Sequence, residues 1–327
     1  MTPPAFWLEG GPLSRALSPL GALVSLAGRL RGLWVRPKRA PVPVVCVGNL
    51  TVGGTGKTPT AIAIARALIG RGRKPAFVSR GYGGSARGPL CVDAATADAR
   101  VVGDEAILLA RVAPAWIGAD RAAAAFAAAA AGADCLILDD GFQNPALAKD
   151  FSLVVIDGAT GFGNGKVMPA GPLREPVARG LARADAALVM GEDRSGLLPR
   201  LARRLPAFAA RLEPRGDFAR LSGARVVAFA GIGRPQKFFD TLAALGAQVV
   251  RTFVFADHHP YLPTDIEPIL ADARRLDARP VTTEKDAVRI PEGQRRGMDT
   301  VAVAAEIDEK DRLFDLIAAA LTRNGKA

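Results

Sequence analysis

Two short runs carry residue types and spacings suited to chemistry on phosphates. One is Thr51-Val52-Gly53-Gly54-Thr55-Gly56-Lys57-Thr58. Its glycines let backbone N–H groups approach an anion closely, and a helix starting behind it would add partial positive charge. Lys57 would reach the β- and γ-phosphates of a nucleotide, and the Thr58 hydroxyl would bind Mg2+. The pattern GxxxxGK(S/T) is met except at its first position, where Thr51 stands in place of glycine. The other run is Asp139-Asp140-Gly141, which closes the apolar stretch Cys135–Leu138. Ligands of open α/β sheets bind beyond the carboxyl ends of strands. A phosphate loop needs an acidic group there to hold Mg2+.

Other candidates are weaker singly. Asp104 precedes the helical run Ala106–Val112; its plain reading is a helix N-cap, though a carboxylate could also accept the proton of an attacking alcohol. The only two histidines are adjacent, His258 and His259, behind the strand-like run Val249–Phe255. On an extended segment they would point opposite ways, one toward a cleft. A polar turn is an equally good reading. Arg80, Arg87, Arg121, Lys166 and Arg174 lie in or beside two Gly/Pro-rich loops, where together they could bind nucleotide phosphates or an anionic substrate.

The elements that must position these groups follow from periodicity. The run Val42–Val47 predicts a buried strand, and Thr60–Ile69 a helix with Pro59 in its first turn, where a missing N–H costs nothing. Further strands are expected at Pro75–Ser79, Leu153–Ile156, Ala187–Met190, Val226–Ala230 and Val301–Ala304, with helices between them. The alternation predicts an α/β fold, with a P-loop NTPase-like, mainly parallel sheet and a second, smaller α/β domain. The expected division is an N-terminal helical segment at 1–40, a P-loop domain at 41–214 and a smaller domain at 215–327. The Gly231-Ile232-Gly233 turn in the last of these lacks a third glycine and is weak evidence for a nucleotide.

Net charge is +11, from 43 Lys+Arg against 32 Asp+Glu, which suits an anionic partner. Aromatic content of 6% with no aromatic–basic repeat argues against nucleic acid. Cys46, Cys91 and Cys135 show no CxxC or Cys/His spacing, so neither a disulfide framework nor a zinc site is expected. The uncharged run from Ala16 to Gly28 is too short to span a bilayer, and no cleavage site clearly follows it. Behind it, Arg29, Arg31, Arg36, Lys38 and Arg39 interleave with Leu30, Leu33, Trp34 and Val35, a composition suited to a helix lying on an anionic membrane surface.

Nine ordered blocks resemble the tetraacyldisaccharide 4'-kinase family: VGNLTVGGTGKTP (47–59), SRGYGG (79–84), VGDE (102–105), GADR (118–121), LDDGFQ (138–143), GNGKVMPAGPLREP (163–176), FAGIGRPQKFF (229–239), FADHH (255–259) and TTEKDAVR (282–289). The resemblance implies that ATP with Mg2+ phosphorylates the 4'-hydroxyl of a tetraacyldisaccharide 1-phosphate, giving lipid IVA, peripherally at the cytoplasmic face of the inner membrane. It implies a cleft between two α/β domains, with Asp104 as base and His258 as its partner. It places Thr58, Asp139 and Asp140 at the metal or cleft, and Arg80, Tyr82, Arg121, Gln143, Asn164, Arg174 and Glu175 in the cleft. Where the family motif reads DDGFQH, Asn144 stands here, and Asn cannot titrate. The competing reading is a membrane-associated ATPase switch. That class carries a lysine where this loop has Val52.

Overall fold

The computed structural model describes residues 4–323. The chain opens with α1 (Phe6–Glu9) and α2 (Pro12–Trp34). A first α/β unit follows: β1 (Val44–Gly48), α3 (Lys57–Gly70), β2 (Pro75–Ser79), β3 (Leu90–Val92), α4 (Ala99–Val102), α5 (Asp104–Ala110), β4 (Ala115–Ile117), α6 (Arg121–Ala130), β5 (Cys135–Asp139), β6 (Phe151–Asp157), α7 (Val177–Leu181), β7 (Ala186–Met190), α8 (Leu197–Ala202) and β8 (Ala207–Arg215). A second unit contains β9 (Arg225–Ala230), α9 (Pro235–Ala244), β10 (Gln248–Val254), α10 (Pro263–Arg275), β11 (Arg279–Thr283), α11 (Glu284–Ala287) and α12 (Glu292–Arg295). The described chain ends with β12 (Asp299–Ile307) and α13 (Lys310–Arg323).

The strands form one sheet in the order β10-β9-β11-β12-β8-β7-β6-β1-β5-β2-β4-β3. Pairing is parallel from β8 to β4 and from β10 to β12, and antiparallel only at β12–β8 and at the β3 edge. The central strands β1, β5, β6 and β7 are buried throughout, as a parallel sheet covered by helices on both faces requires. On one face Ile64 of α3, Leu109 of α5 and Ile317 of α13 share a core; on the other, Ala124 of α6 and Leu201 of α8 do. The register pairs Val47 with Asp139, which sets the acidic end of β5 directly beside the loop leaving β1.

β12 belongs to both units. Its first residues pair with β11 through Val301, and its remainder, Ala302–Ile307, pairs with β8. The helix α13 then packs Leu313, Ile317 and Leu321 into the same core as Ile64 and Phe208. The stretch 215–327, read as one unit from sequence, is therefore divided. The second unit has its own cores around Val226, Phe239, Ile266 and Ile290, and the segment from 302 onward completes the first. The outermost residues of the expected spans, 1–3 and 324–327, lie outside the described residues.

The helix α2 buries its small side and exposes its large one. Ser14 and Gly21 are buried, whereas Leu20, Leu23, Leu30 and Leu33 are exposed. Ser14 Oγ donates to the Ala170 carbonyl at 2.7 Å, and a Cβ at Gly21 would lie 2.6 Å from the Val167 carbonyl. Asn164 completes this seat. Its Nδ2 lies 2.9 Å from each of Phe6 O, Ser14 Oγ and Ala170 O. Lys166 Nζ donates to Ser18 Oγ at 2.9 Å. These two residues, expected at the cleft and on an anion, instead fasten the N-terminal helices, because their loop is fully engaged as the docking platform for α2. Among the described residues no helix is long and apolar enough to cross a membrane.

Gly21→Val forces two methyl groups into that contact. The expected cost is about 1–3 kcal/mol of stability, the usual price of overpacking. Limited proteolysis should cut faster between Val35 and Val42. An unchanged cleavage rate would show that α2 is not seated through Gly21.

Candidate active site

The phosphate loop leaves β1 and returns as α3, whose first residues are Lys57 and Thr58. Gly53 and Gly56 have φ of 113° and 86°, values open to glycine and strained for other residues. The unusual Thr51 forms a β-bridge with Leu173, and Val52 N–H donates to the Pro172 carbonyl at 2.8 Å. The long Gly/Pro-rich loop thus buttresses the phosphate loop from outside, which requires extended backbone at residue 51.

The two aspartates that end β5 do different work. Asp139 is buried. One of its oxygens accepts from Thr58 Oγ1 at 2.8 Å, and the other has no hydrogen-bond partner. Burial, then the charge of Glu105, push the Asp139 carboxyl up to about 7 against the pull of Thr58 and Lys57. A buried carboxylate with one orphaned oxygen, beside a hydroxyl and a phosphate loop, fits a divalent cation. Among the described residues no group of three or more His, Cys, Asp or Glu is arranged to hold a metal, so the rest of its shell would come from phosphates and water. Asp140 turns away with φ of 56°. It takes a bidentate pair from Arg174 at 2.9 and 3.2 Å and sits 3.9 Å from Lys57 Nζ. Asp140 is therefore paired with Arg174 and Lys57, whereas Asp139 keeps its bare oxygen beside Thr58.

Asp104 is the first residue of α5, after Gly103 at the N-cap, and its Oδ1 accepts from the Glu105 N–H at 2.8 Å. The second unit delivers three groups to this corner. His258 Nδ1 lies 2.9 Å from Asp104 Oδ2, and Arg289 Nε lies 3.2 Å from the same oxygen. Lys285 Nζ is 3.2 Å from Glu105 Oε1 and 3.3 Å from His258 Nε2. Burial would raise the Asp104 carboxyl, but the His258 hydrogen bond and the charges of Lys285 and Arg289 outweigh it and hold it below the usual carboxylate range. The Tyr82 ring meets His258 edge-on at 5.2 Å. His258 has φ of 59°, so a turn rather than an extended segment separates the two histidines. His259 faces Asp265 at 2.9 Å and stacks on Phe255, away from Asp104.

The remaining expected residues fall into two groups. Gln143 Nε2 donates to the Asn49 carbonyl and to Glu175, and Glu175 is held by Arg183 at 2.6 Å. They form a brace below the phosphate loop. Arg121 lies within electrostatic reach of Arg80 and of Arg31 on α2. Burial and the like charge of Arg80 pull the Arg121 guanidinium down, and Asp140 opposes them. Asn144 Oδ1 accepts from Ala146 N–H at 2.7 Å, a turn-forming role that needs no titratable group. Sequence reasoning did not single out Glu105, Lys285 or Arg289. The i, i+4 spacing of Lys285 and Arg289 within block 282–289 was the available signal. It also missed a further ion pair between the units, Arg234 with Asp157 at 2.8 Å.

A family model described as tetraacyldisaccharide-1-P 4'-kinase matches residues 13–322. A curated tetraacyldisaccharide 4'-kinase of Rhodospirillum rubrum is 51% identical over 313 residues, covering 94% of this chain and 95% of that protein. Another, of Gluconacetobacter diazotrophicus, is 52% identical over 324 residues, covering 97% and 98%. Among solved structures, the LpxK of Aquifex aeolicus in complex with ATP superposes with a TM-score of 0.76 at 25% identity, over 95% of this chain and 100% of that one.

Asp139→Asn tests the cation site without assaying turnover. A carboxyl raised in the fold binds more protons folded than unfolded, so its unfavourable effect on stability grows as pH rises from about 4 to about 7. At pH above that window and without Mg2+, the variant should be more stable than the parent by about 1–3 kcal/mol, because an uncompensated buried charge is gone. Thermal unfolding with and without Mg2+ checks this. A variant less stable than the parent under metal-free conditions would refute it.

Proposed function

The chain belongs to the tetraacyldisaccharide-1-P 4'-kinase family, and on that premise we propose how its cleft performs the transfer. The reaction is the ATP-dependent phosphorylation of the 4'-hydroxyl of tetraacyldisaccharide 1-phosphate, forming lipid IVA in lipid A biosynthesis. The observation that carries the residue assignment is the contact of Asp104 with His258 across the two units, in the cleft that holds the phosphate loop.

In this reading the backbone N–H groups of residues 53–58 cradle the ATP phosphates, and Lys57 neutralises charge on the β- and γ-oxygens. Thr58 and Asp139 would hold Mg2+, which when bound would draw charge from the phosphate oxygens. Asp140 and Arg174 keep Lys57 in place. Asp104 accepts the proton of the 4'-hydroxyl as that oxygen bonds to the γ-phosphorus and ADP departs. A loose transition state asks for orientation more than for a strong base, which suits a carboxylate of low proton affinity. Arg80, Arg121 and Arg31 make a cationic mouth for the phosphorylated glycolipid. Tyr82 covers His258, and Gln143 and Glu175 brace the floor.

The exposed leucines of α2, followed by Arg29, Arg31 and Arg36, suit a helix lying on an anionic bilayer. We assign that surface to the cytoplasmic face of the inner membrane, and no nucleic acid has a place in this reading. Replacing Leu23 and Leu30 by Asp should weaken partition to anionic vesicles more than tenfold, since each buried leucine is worth about 1.5–3 kcal/mol. Unchanged partition would remove α2 from the membrane contact.

Incubation with γ-labelled ATP, Mg2+ and detergent-solubilised acceptor should label the lipid. Asp104→Asn should lower turnover by about 10²–10⁴-fold, the range of a positioned base, with ATP affinity little changed. ATP hydrolysis without labelled lipid would favour a switch ATPase instead.

A further inference from the structure

The His258 imidazole has a partner at each ring nitrogen: Asp104 Oδ2 at 2.9 Å from Nδ1, and Lys285 Nζ at 3.3 Å from Nε2. An ionised carboxylate only accepts hydrogen bonds and an ammonium only donates them. The single ring proton therefore belongs on Nδ1, with the lone pair on Nε2. We propose that Lys285 is a positioning residue of the phosphoryl transfer, locking His258 in the Nδ1–H tautomer so that it acts on Asp104 purely as a hydrogen-bond donor. The proposal rests on the reading of Asp104 as the base.

The surroundings explain why a lock is needed. Asp104 faces the ring from α5, Lys285 from α11, and Tyr82 from the loop after β2. On the ring's own loop, Asp257 Oδ1 lies 3.9 Å from Nε2. Without Lys285 nothing would hold the Nε2 lone pair, and that carboxylate would compete with Asp104 for the ring proton. A proton on Nε2 would turn the Nδ1 lone pair on the Asp104 carboxylate and make the contact between the units repulsive. Lys285 prevents this from between them, 3.8 Å from Asp257 and 3.2 Å from Glu105. Burial alone would lower its proton affinity, but the charges of Glu105, Asp104 and Asp257 outweigh that and raise it, so it stays an ammonium. Arg289 reaches Asp104 and leaves the ring free. With Nε2 occupied, the hydroxyl proton cannot pass through His258. It stays on Asp104 until product leaves.

The chain has only two histidines, which makes the tautomer directly readable. The full chain, labelled with ¹⁵N-histidine, is compared with its His259→Gln variant for assignment, at pH about 8, above the ordinary imidazole range. The expected spectrum shows His258 with its proton on Nδ1 and a bare Nε2. Lys285→Met should move the proton to Nε2 or protonate both nitrogens, and lower kcat by about 10²-fold, the low end of a positioned base's contribution, with KM for ATP little changed. Lys285→Arg should restore the tautomer and much of the turnover. A proton on Nε2 in the parent protein, or an unchanged tautomer in Lys285→Met, overturns the proposal. Should Lys285→Met fail to fold, the parent spectrum alone decides. The tautomer is read without turnover, so a parent with Nδ1–H that labels no lipid would sink the kinase assignment and leave the lock standing.

Discussion

A carboxylate taken out of water has to find a cation or a set of donors, and this constraint organises the cleft. Asp104 and Asp139 are both buried at the carboxyl end of the sheet, and they meet the constraint in opposite ways. Asp104 is satisfied by the protein itself, through His258, Arg289 and the Glu105 N–H. Asp139 is left half satisfied, with Thr58 on one oxygen and nothing on the other. One carboxylate is thereby held charged by protein groups, and the other keeps a bare oxygen beside the phosphate loop. His258 and Arg289 come from the second unit, so the charge of Asp104 and the association of the two units share the same contacts.

The sheet makes that sharing geometrically dependable. The β1–β5 register puts Asp139 beside the phosphate loop, and β12 continues without a break from one unit's sheet into the other's. Relative motion of the units must bend or twist a hydrogen-bonded strand rather than swing on a loose linker. The Arg234–Asp157 pair adds a further tie across the same gap. At the other boundary, α2 carries Arg31 from the exposed apolar helix to the basic mouth around Arg121.

Much of this was legible in the sequence, and the parts that were not share a physical cause. Buried parallel strands such as Cys135–Asp139 and Pro75–Ser79 are apolar up to a polar last residue, and their apolar runs marked them closely. β8 and β11 escaped notice because their pattern is mixed. β8 ends in Arg-Leu-Glu-Pro-Arg at an exposed seam, and β11 opens with Arg-Pro. The phosphate loop and the aspartates were legible because their chemistry is local. Asp104 was not, since it became distinctive only once a resemblance paired it with a residue 154 positions away. Lys285 and Arg289 matter through the same kind of distant contact, which no local pattern records. Asn164 was misplaced because a polar residue in a Gly-rich loop looks alike whether it faces a ligand or, as here, the seat of a helix.

The pairing of Arg215 with Ala302 has a consequence for biosynthesis. Residues 216–301 leave and re-enter the first unit at adjacent points of one ladder, so topologically they are an insertion into a hairpin. On the ribosome this contiguous insert is complete before its host. The host unit lacks its last strand segment and the helix that covers Ile64 and Phe208 until residues 302–323 have been made. At about 5–20 residues per second, the phosphate-loop unit waits roughly 5–20 s after Arg215 is added before its core can close. The later-made unit is therefore the first able to fold, and it stands ready as a template against which the catalytic corner is assembled.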